Sequence, residues 1–146
     1  MGLLDRMKNY VTGGAAKLQL ELPAIGYPSM PIAVKVRITA EADFKCEGLY
    51  LDVVGTEHLQ FRPQGAQQDV TSSESTYRQS LQVTPPFELG KGETKEVSAV
   101  VTLPREAQPT YQGKHGKHTW QLQARLEAKG NDPDSGWKEL RIGAMT

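Results

Sequence analysis

The chain opens with apolar residues at helical spacing and then alternates apolar with polar positions at a period of two. Leu3, Leu4, Met7, Tyr10 and Val11 recur three and four apart, predicting one amphipathic helix of about three turns at most, stopped by Gly13 and Gly14. Lys17, Leu18, Gln19, Leu20, Glu21 and Leu22 then alternate as a strand with one wet face does, until Pro23, Gly26 and Pro28 break the chain. Ile32, Val34, Val36 and Ile38 face opposite to Ala33, Lys35, Arg37 and Thr39, which predicts a second strand. A third runs over residues 48–59, with Leu49, Leu51 and Val53 on one side, Tyr50 and Asp52 on the other, and Gly55 as the mark of a bulge.

Residues 62–75 are rich in Gln, Gly, Ser and Asp and nearly free of apolar side chains, so they are expected to form a long exposed loop. Strand character returns over residues 76–83, 94–103, 117–128 and 137–142. Turns are set by Pro85 and Pro86, Gly90 and Gly92, Pro104 and Pro109, and Gly130 with Pro133. About seven closely spaced strands, with no helix able to bridge parallel neighbours, predict an all-β, antiparallel, immunoglobulin-like sandwich. Its inner faces are expected to carry Leu18, Leu20, Val34, Val36, Leu51, Val53, Val100, Leu122, Ala124 and Leu126, and a register error of one would invert a whole face. The organisation read here is a short helix over residues 1–14 followed by one sandwich domain over 15–146.

Composition narrows the function classes. The 146 residues suit a single core, and 17 basic against 17 acidic side chains leave no net field to draw in nucleic acid or an anionic membrane. Any charge-driven recognition must be local. Cys46 stands alone, so no internal disulfide forms, and its place at a strand favours a small buried hydrophobe. No run of about 20 apolar residues and no secretory leader are seen, so a cytoplasmic protein is expected. Gly2 has the place of a myristoylated glycine, but Arg6 stands where that signal needs Ser or Thr.

Lys114, His115, Lys117 and His118 gather two ammonium groups and two imidazoles in one predicted loop. Such a set suits a solvated loop, an anion or an acidic partner. It falls short of the four ligands of a zinc site, since Cys46 and His58 lie in other strands. No nucleophile elbow, P-loop or dinucleotide fingerprint occurs, and no cofactor is expected. Trp120 and Trp137 fall in strands, where an aromatic packs the core or a cross-strand neighbour; Trp137, after a polar turn, suits a partner surface equally.

The second half carries a recognisable motif series. Phe87, Glu88 and Leu89 precede a Gly-bounded turn, and Val100 to Leu103 lead into Pro104. Pro109, Thr110, Tyr111, Gln112 and Gly113 form a loop, Trp120 to Leu126 alternate, and Gly130, Asn131 and Asp132 close the strand. In order and spacing these resemble the arrestin signature. The opening, with Ala15, Ala16 and Lys17 entering the first strand, resembles the bacterial sporulation-control branch of that superfamily. Tyr27 and Pro28 fit the family's Tyr-Pro-Gly-Glu turn, with Ser29 and Met30 in place of its Gly and Glu. The resemblance implies an arrestin-like fold and a non-enzymatic adaptor or regulatory role. Only one domain is read here, so the family's phosphate sensor and receptor binding are not carried over.

Two surfaces are the candidates for a protein or peptide partner. The first strand, with Lys17, Leu18 and Leu20, is expected to be a sheet edge that an extended peptide can join. The helix with Leu3, Leu4 and Met7 is too short to stand alone in water, and would cover the sandwich edge, a second copy, or a partner or membrane surface. The alternative function is a self-associating structural protein, a homodimer paired through that helix or the edge strand.

Overall fold

A computed structural model describes residues 15–128 and 132–144. The helix expected over residues 1–14, with Leu3, Leu4 and Met7, lies outside the described residues. Among the described residues twelve strands follow in chain order: β1 (Ala16–Glu21), β2 (Ile25–Gly26), β3 (Ile32–Ala40), β4 (Phe44–Cys46), β5 (Gly48–Phe61), β6 (Val70–Gln82), β7 (Phe87–Leu89), β8 (Thr94–Val101), β9 (Tyr111–Gln112), β10 (Gly116–Glu127), β11 (Lys138–Glu139) and β12 (Arg141–Ile142). The long predicted strands appear as β1, β3, β5, β6, β8 and β10. The predicted last strand is broken into β11 and β12.

β1, β3 and β8 form one antiparallel sheet in that order, and β11, β10, β5 and β6 form a second, with β9 also on β10. β4 pairs antiparallel with β7, while β12 meets β2 in a two-residue parallel bridge. Period-two burial drives this arrangement. In β3 the pattern is almost perfect, with Ile32, Val34, Val36 and Ile38 buried. Leu18 and Leu20 of β1, Leu49, Leu51 and Val53 of β5, and Trp120, Leu122, Ala124 and Leu126 of β10 join them in one hydrophobic cluster. Each fully buried Leu or Val stabilises the fold by about 1.5–3 kcal/mol relative to exposure, so both sheets are held by a shared core.

Three expectations are corrected. Val100 is 61 % exposed, because Val36, Val34 and Ile32 stand opposite Val97, Ala99 and Val101, which turns Val100 outward. The exposed loop predicted over 62–75 shrinks: β6 begins at Val70 and pairs with β5 as far as Phe61. Main-chain pairing suffices to form a strand there, and its side chains stay in solvent. The predicted 114–118 loop ends at His115, because β10 starts at Gly116.

The bulge foreseen at Gly55 occurs at that level, with the additional residue on the partner strand. Gly55 stands opposite Tyr77 and Thr56 opposite Ser75, so Thr76 is the extra residue. A Cβ on Gly55 would lie 3.0 Å from both the Thr76 hydroxyl and the Trp120 ring, so a side chain there would force Trp120 or Thr76 to shift from its close approach to β5.

Candidate functional site

Among the described strands β1 ends the three-stranded sheet, and its register fixes which main-chain groups face away from β3. The N–H of Ala40 donates to Glu93 and its C=O accepts from Gly92, so Ala40 faces β8. By alternation Thr39, Arg37 and Lys35 face β1, and their partners Lys17, Gln19 and Glu21 make the ladder. The main chains of Leu18 and Leu20 therefore face the open side, while their side chains fill the core at 7 % and 1 % exposure. Lys138 donates from Nζ to the Leu20 carbonyl at 2.6 Å and closes one acceptor of this rim. Lys17 is exposed, and its 3.7 Å ion pair with the exposed Glu41 contributes little to stability.

β6 ends the other sheet. The Val83 N–H donates to the Leu49 carbonyl, and the Gln60 N–H donates to His115 on the β10 side. Odd residues of β5 thus face β6, and the main chains of Thr71, Ser73 and Ser75, then Arg78, Ser80 and Gln82 past the bulge, face away from β5. Among the described strands β6 pairs with β5 alone. This rim was missed in the sequence, because a strand wet on both faces lacks the alternation that marks a half-buried one.

The predicted His/Lys set is divided by the strand it enters. Lys114 and His115 lie exposed in the β9–β10 turn, and Lys117 is exposed on β10 opposite His58. They line a hollow of about 380 Å³ with His58, Gln60, Thr71, Ser72 and Ser73. His58 Nδ1 sits 2.8 Å from the Ser73 hydroxyl, which ties the floor of the hollow to β6. No carboxylate lines it.

His118 points the other way and is fully buried. Its Nε2 lies 2.6 Å from the Thr76 hydroxyl, and its ring stacks on Tyr111 and meets Trp120 edge-on. Burial pushes its pKa down, against the pull of the Pro109 carbonyl and Glu57. His118 therefore cannot share an anion or metal with His115. Among the described residues no group of His, Cys, Asp and Glu is placed to hold a metal ion. Trp120 is a core residue whose indole N–H donates to the Gln108 carbonyl at 2.7 Å, whereas Trp137 is 46 % exposed. Cys46 is buried, and burial raises its thiol pKa.

On the outer face of the same sheet, Asp52 accepts from Ser80 (2.6 Å), Gln123 (2.9 Å) and Arg125 (3.1 and 3.3 Å). Burial alone would raise the Asp52 pKa, but the hydrogen bonds from Arg125, Ser80 and Gln123 outweigh it and hold the carboxyl below the usual range. The network joins β5, β6 and β10 and leaves Asp52 no free oxygen to serve as a base. It fastens β6 in place.

No protein-family model matches the sequence, and no curated protein matches it. Solved structures do, and one is Spo0M, the sporulation control protein of Bacillus subtilis, with a TM-score of 0.66 at 18 % identity over 90 % of this chain. The fold is the arrestin-like fold of Spo0M. The chain spans about half the length of Spo0M, 51 %. Both sheet edges and the basic hollow lie within this Spo0M-like fold, and no helix among the described residues is long and apolar enough to cross a membrane.

Proposed function

We propose that this chain is a non-enzymatic adaptor or regulatory interaction domain, an immunoglobulin-like sandwich of the cytoplasm that takes up an extended peptide along β1. The observation that carries the reading is the open rim of β1, where the main chains of Leu18 and Leu20 face outward from a strand anchored by their own buried side chains. A rim held this rigidly loses little entropy when a peptide adds to it, and main-chain hydrogen bonds supply the affinity. The Spo0M-like fold supports a regulatory role, since Spo0M is a sporulation control protein.

The test separates the rim from the core at one position. Leu18→Ala shortens a buried side chain and keeps the N–H; Leu18→Pro removes the donor as well. Affinity purification of the tagged protein from its native cell, with mass spectrometry, identifies partners. A partner held by Leu18→Ala and lost by Leu18→Pro, with both variants folded by circular dichroism, is the expected result. Retention by both would refute the β1 rim. A mass that rises with concentration in the purified chain would favour self-association over the adaptor.

A further inference from the structure

β6 presents a longer open rim than β1, and its surroundings carry a charge of one sign. Of the rim residues Thr71, Ser73, Ser75, Arg78, Ser80 and Gln82, the one charged residue is a cation, and Arg78 has no ion pair among the described residues. Side chains of these residues lie on the outer face, where Ser73 stands beside His58 and His58 beside Lys117 across three strands. Lys114, His115 and Lys117 line the adjoining hollow without a carboxylate and without an ion pair among the described residues. The nearby acids are engaged or turned away. Asp69 binds Arg62 and Gln60, Glu57 accepts from Tyr111, and Glu74, opposite Glu57, faces the inner side.

Long edge strands are ordinarily blunted by lysines, prolines or bulges. β6 has no proline, no lysine and one bulge, at Thr76, so on its Val70 side the main chains of Thr71, Ser73 and Ser75 face outward along an unbroken six-residue stretch. A strand added there would run about 4.8 Å from β6. Its outward side chains would then lie beside Ser73, three strand spacings or about 14 Å from the Lys117 backbone. A glutamate reaching inward meets the Ser73 hydroxyl and His58 first, and the Lys117 side chain reaching outward covers most of the remaining distance.

We propose that the rim of β6 takes up an extended acidic peptide as an added antiparallel strand, its alternate carboxylates turned across Ser73 toward His58 and the hollow lined by Lys114, His115 and Lys117. This surface is on the opposite sheet from the β1 rim and does not depend on it.

The probe is a ten-residue peptide in which glutamate alternates with valine, titrated into the full chain while amide exchange is followed by NMR. Binding should slow exchange at Thr71, Ser73 and Ser75, whose amides face solvent in the free protein, and leave Leu18 unchanged. Lys117→Glu should weaken binding about tenfold or more by placing like charges together. Ser73→Pro should do the same by removing a donor, while Ser73→Ala, which keeps the donor, should change affinity by less than about threefold. A lysine–valine peptide should not bind. Three results would overturn the proposal: no slowing at the β6 amides, affinities unchanged in both Lys117→Glu and Ser73→Pro, or β6 amides already protected in the free chain with a doubled mass, which would assign the rim to a second copy. Slowing at Leu18 and Leu20 alone would also overturn it, and would support the β1 reading instead.

Discussion

β1 and β6 each end a sheet, but their rims are built in opposite senses. On β1 the residues whose main chains face outward, Leu18 and Leu20, send their side chains into the core. On β6 the rim residues Thr71, Ser73, Arg78 and Ser80 send theirs to the wet outer face. One rim is anchored through buried side chains, with one acceptor taken by Lys138. The other is long, open and lined by recognisable chemistry. On the two proposals above, the first rim would hold a partner largely by main-chain pairing and the second would discriminate by charge, since an edge gives affinity through its backbone and specificity through its side chains.

The sharpest break in this comparison is a matched pair of truncations. Leu20 is 1 % exposed at the centre of the shared core, and Leu20→Ala should cost about 3 kcal/mol through lost transfer energy and the cavity left behind. Ser73→Ala should stay within about 0.5 kcal/mol, because its side chain is exposed and its one partner, His58, stays partly hydrated. Urea denaturation at neutral pH measures both. Equal losses would mean that β6 is as deeply anchored as β1, and the contrast between the rims would fail.

Much of this contrast could be read from the residues, and the unread part has a physical cause. Alternation located β1, β3, β5 and β10 because each has one buried and one wet face. The choice of β1 as an edge strand agrees with the sheet order. Val97, Ala99, Val100 and Val101 are all apolar, so the local pattern of β8 was ambiguous, and only its pairing with β3 decides which of them face inward. Residues 70–75 gave no strand signal because no core lies under them. The His/Lys cluster was visible in sequence, but the partition of His115 from His118 depends on where β10 begins, and His58 and Ser73 enter the hollow only through register. Local spacing cannot supply a long-range pairing.

A second, smaller effect tests what fastens β6. Asp52→Ala removes the acceptor shared by Ser80, Gln123 and Arg125 and leaves Arg125, with 24 % of its side chain exposed, without that partner; the loss should be about 2 kcal/mol at pH 7. The Asp52 pKa is lower in the folded chain than in the unfolded one. Its contribution is therefore present above the unfolded value near pH 4 and is lost as pH falls through the folded value. The difference between wild type and variant should narrow in acid, and amide exchange should speed first along β6. Unchanged exchange on β6 would leave its attachment to the main-chain ladder alone.

The smallest effect concerns His118, which lies beneath the β6 bulge and bonds Thr76, the extra residue of the strand. Burial lowers its pKa in the folded chain, so the native state favours the neutral ring. Above the unfolded value of about 6.5 both states are neutral and the group adds no pH dependence. Below it the unfolded chain takes up a proton that the folded chain resists, and stability falls by at most about 1.4 kcal/mol per pH unit until the folded ring titrates too. His118→Gln removes the titration, so urea midpoints compared between pH 7.5 and pH 5.5 should fall more for wild type than for the variant. The Asp52 network does not titrate in that window, since its pKa is held below the usual carboxylate range, so it cancels in the comparison. Equal falls would mean that the proton is taken up without penalty beside Tyr111 and Trp120, and that the Thr76 bulge is held by the Gly55 register and not by the neutral imidazole beneath it.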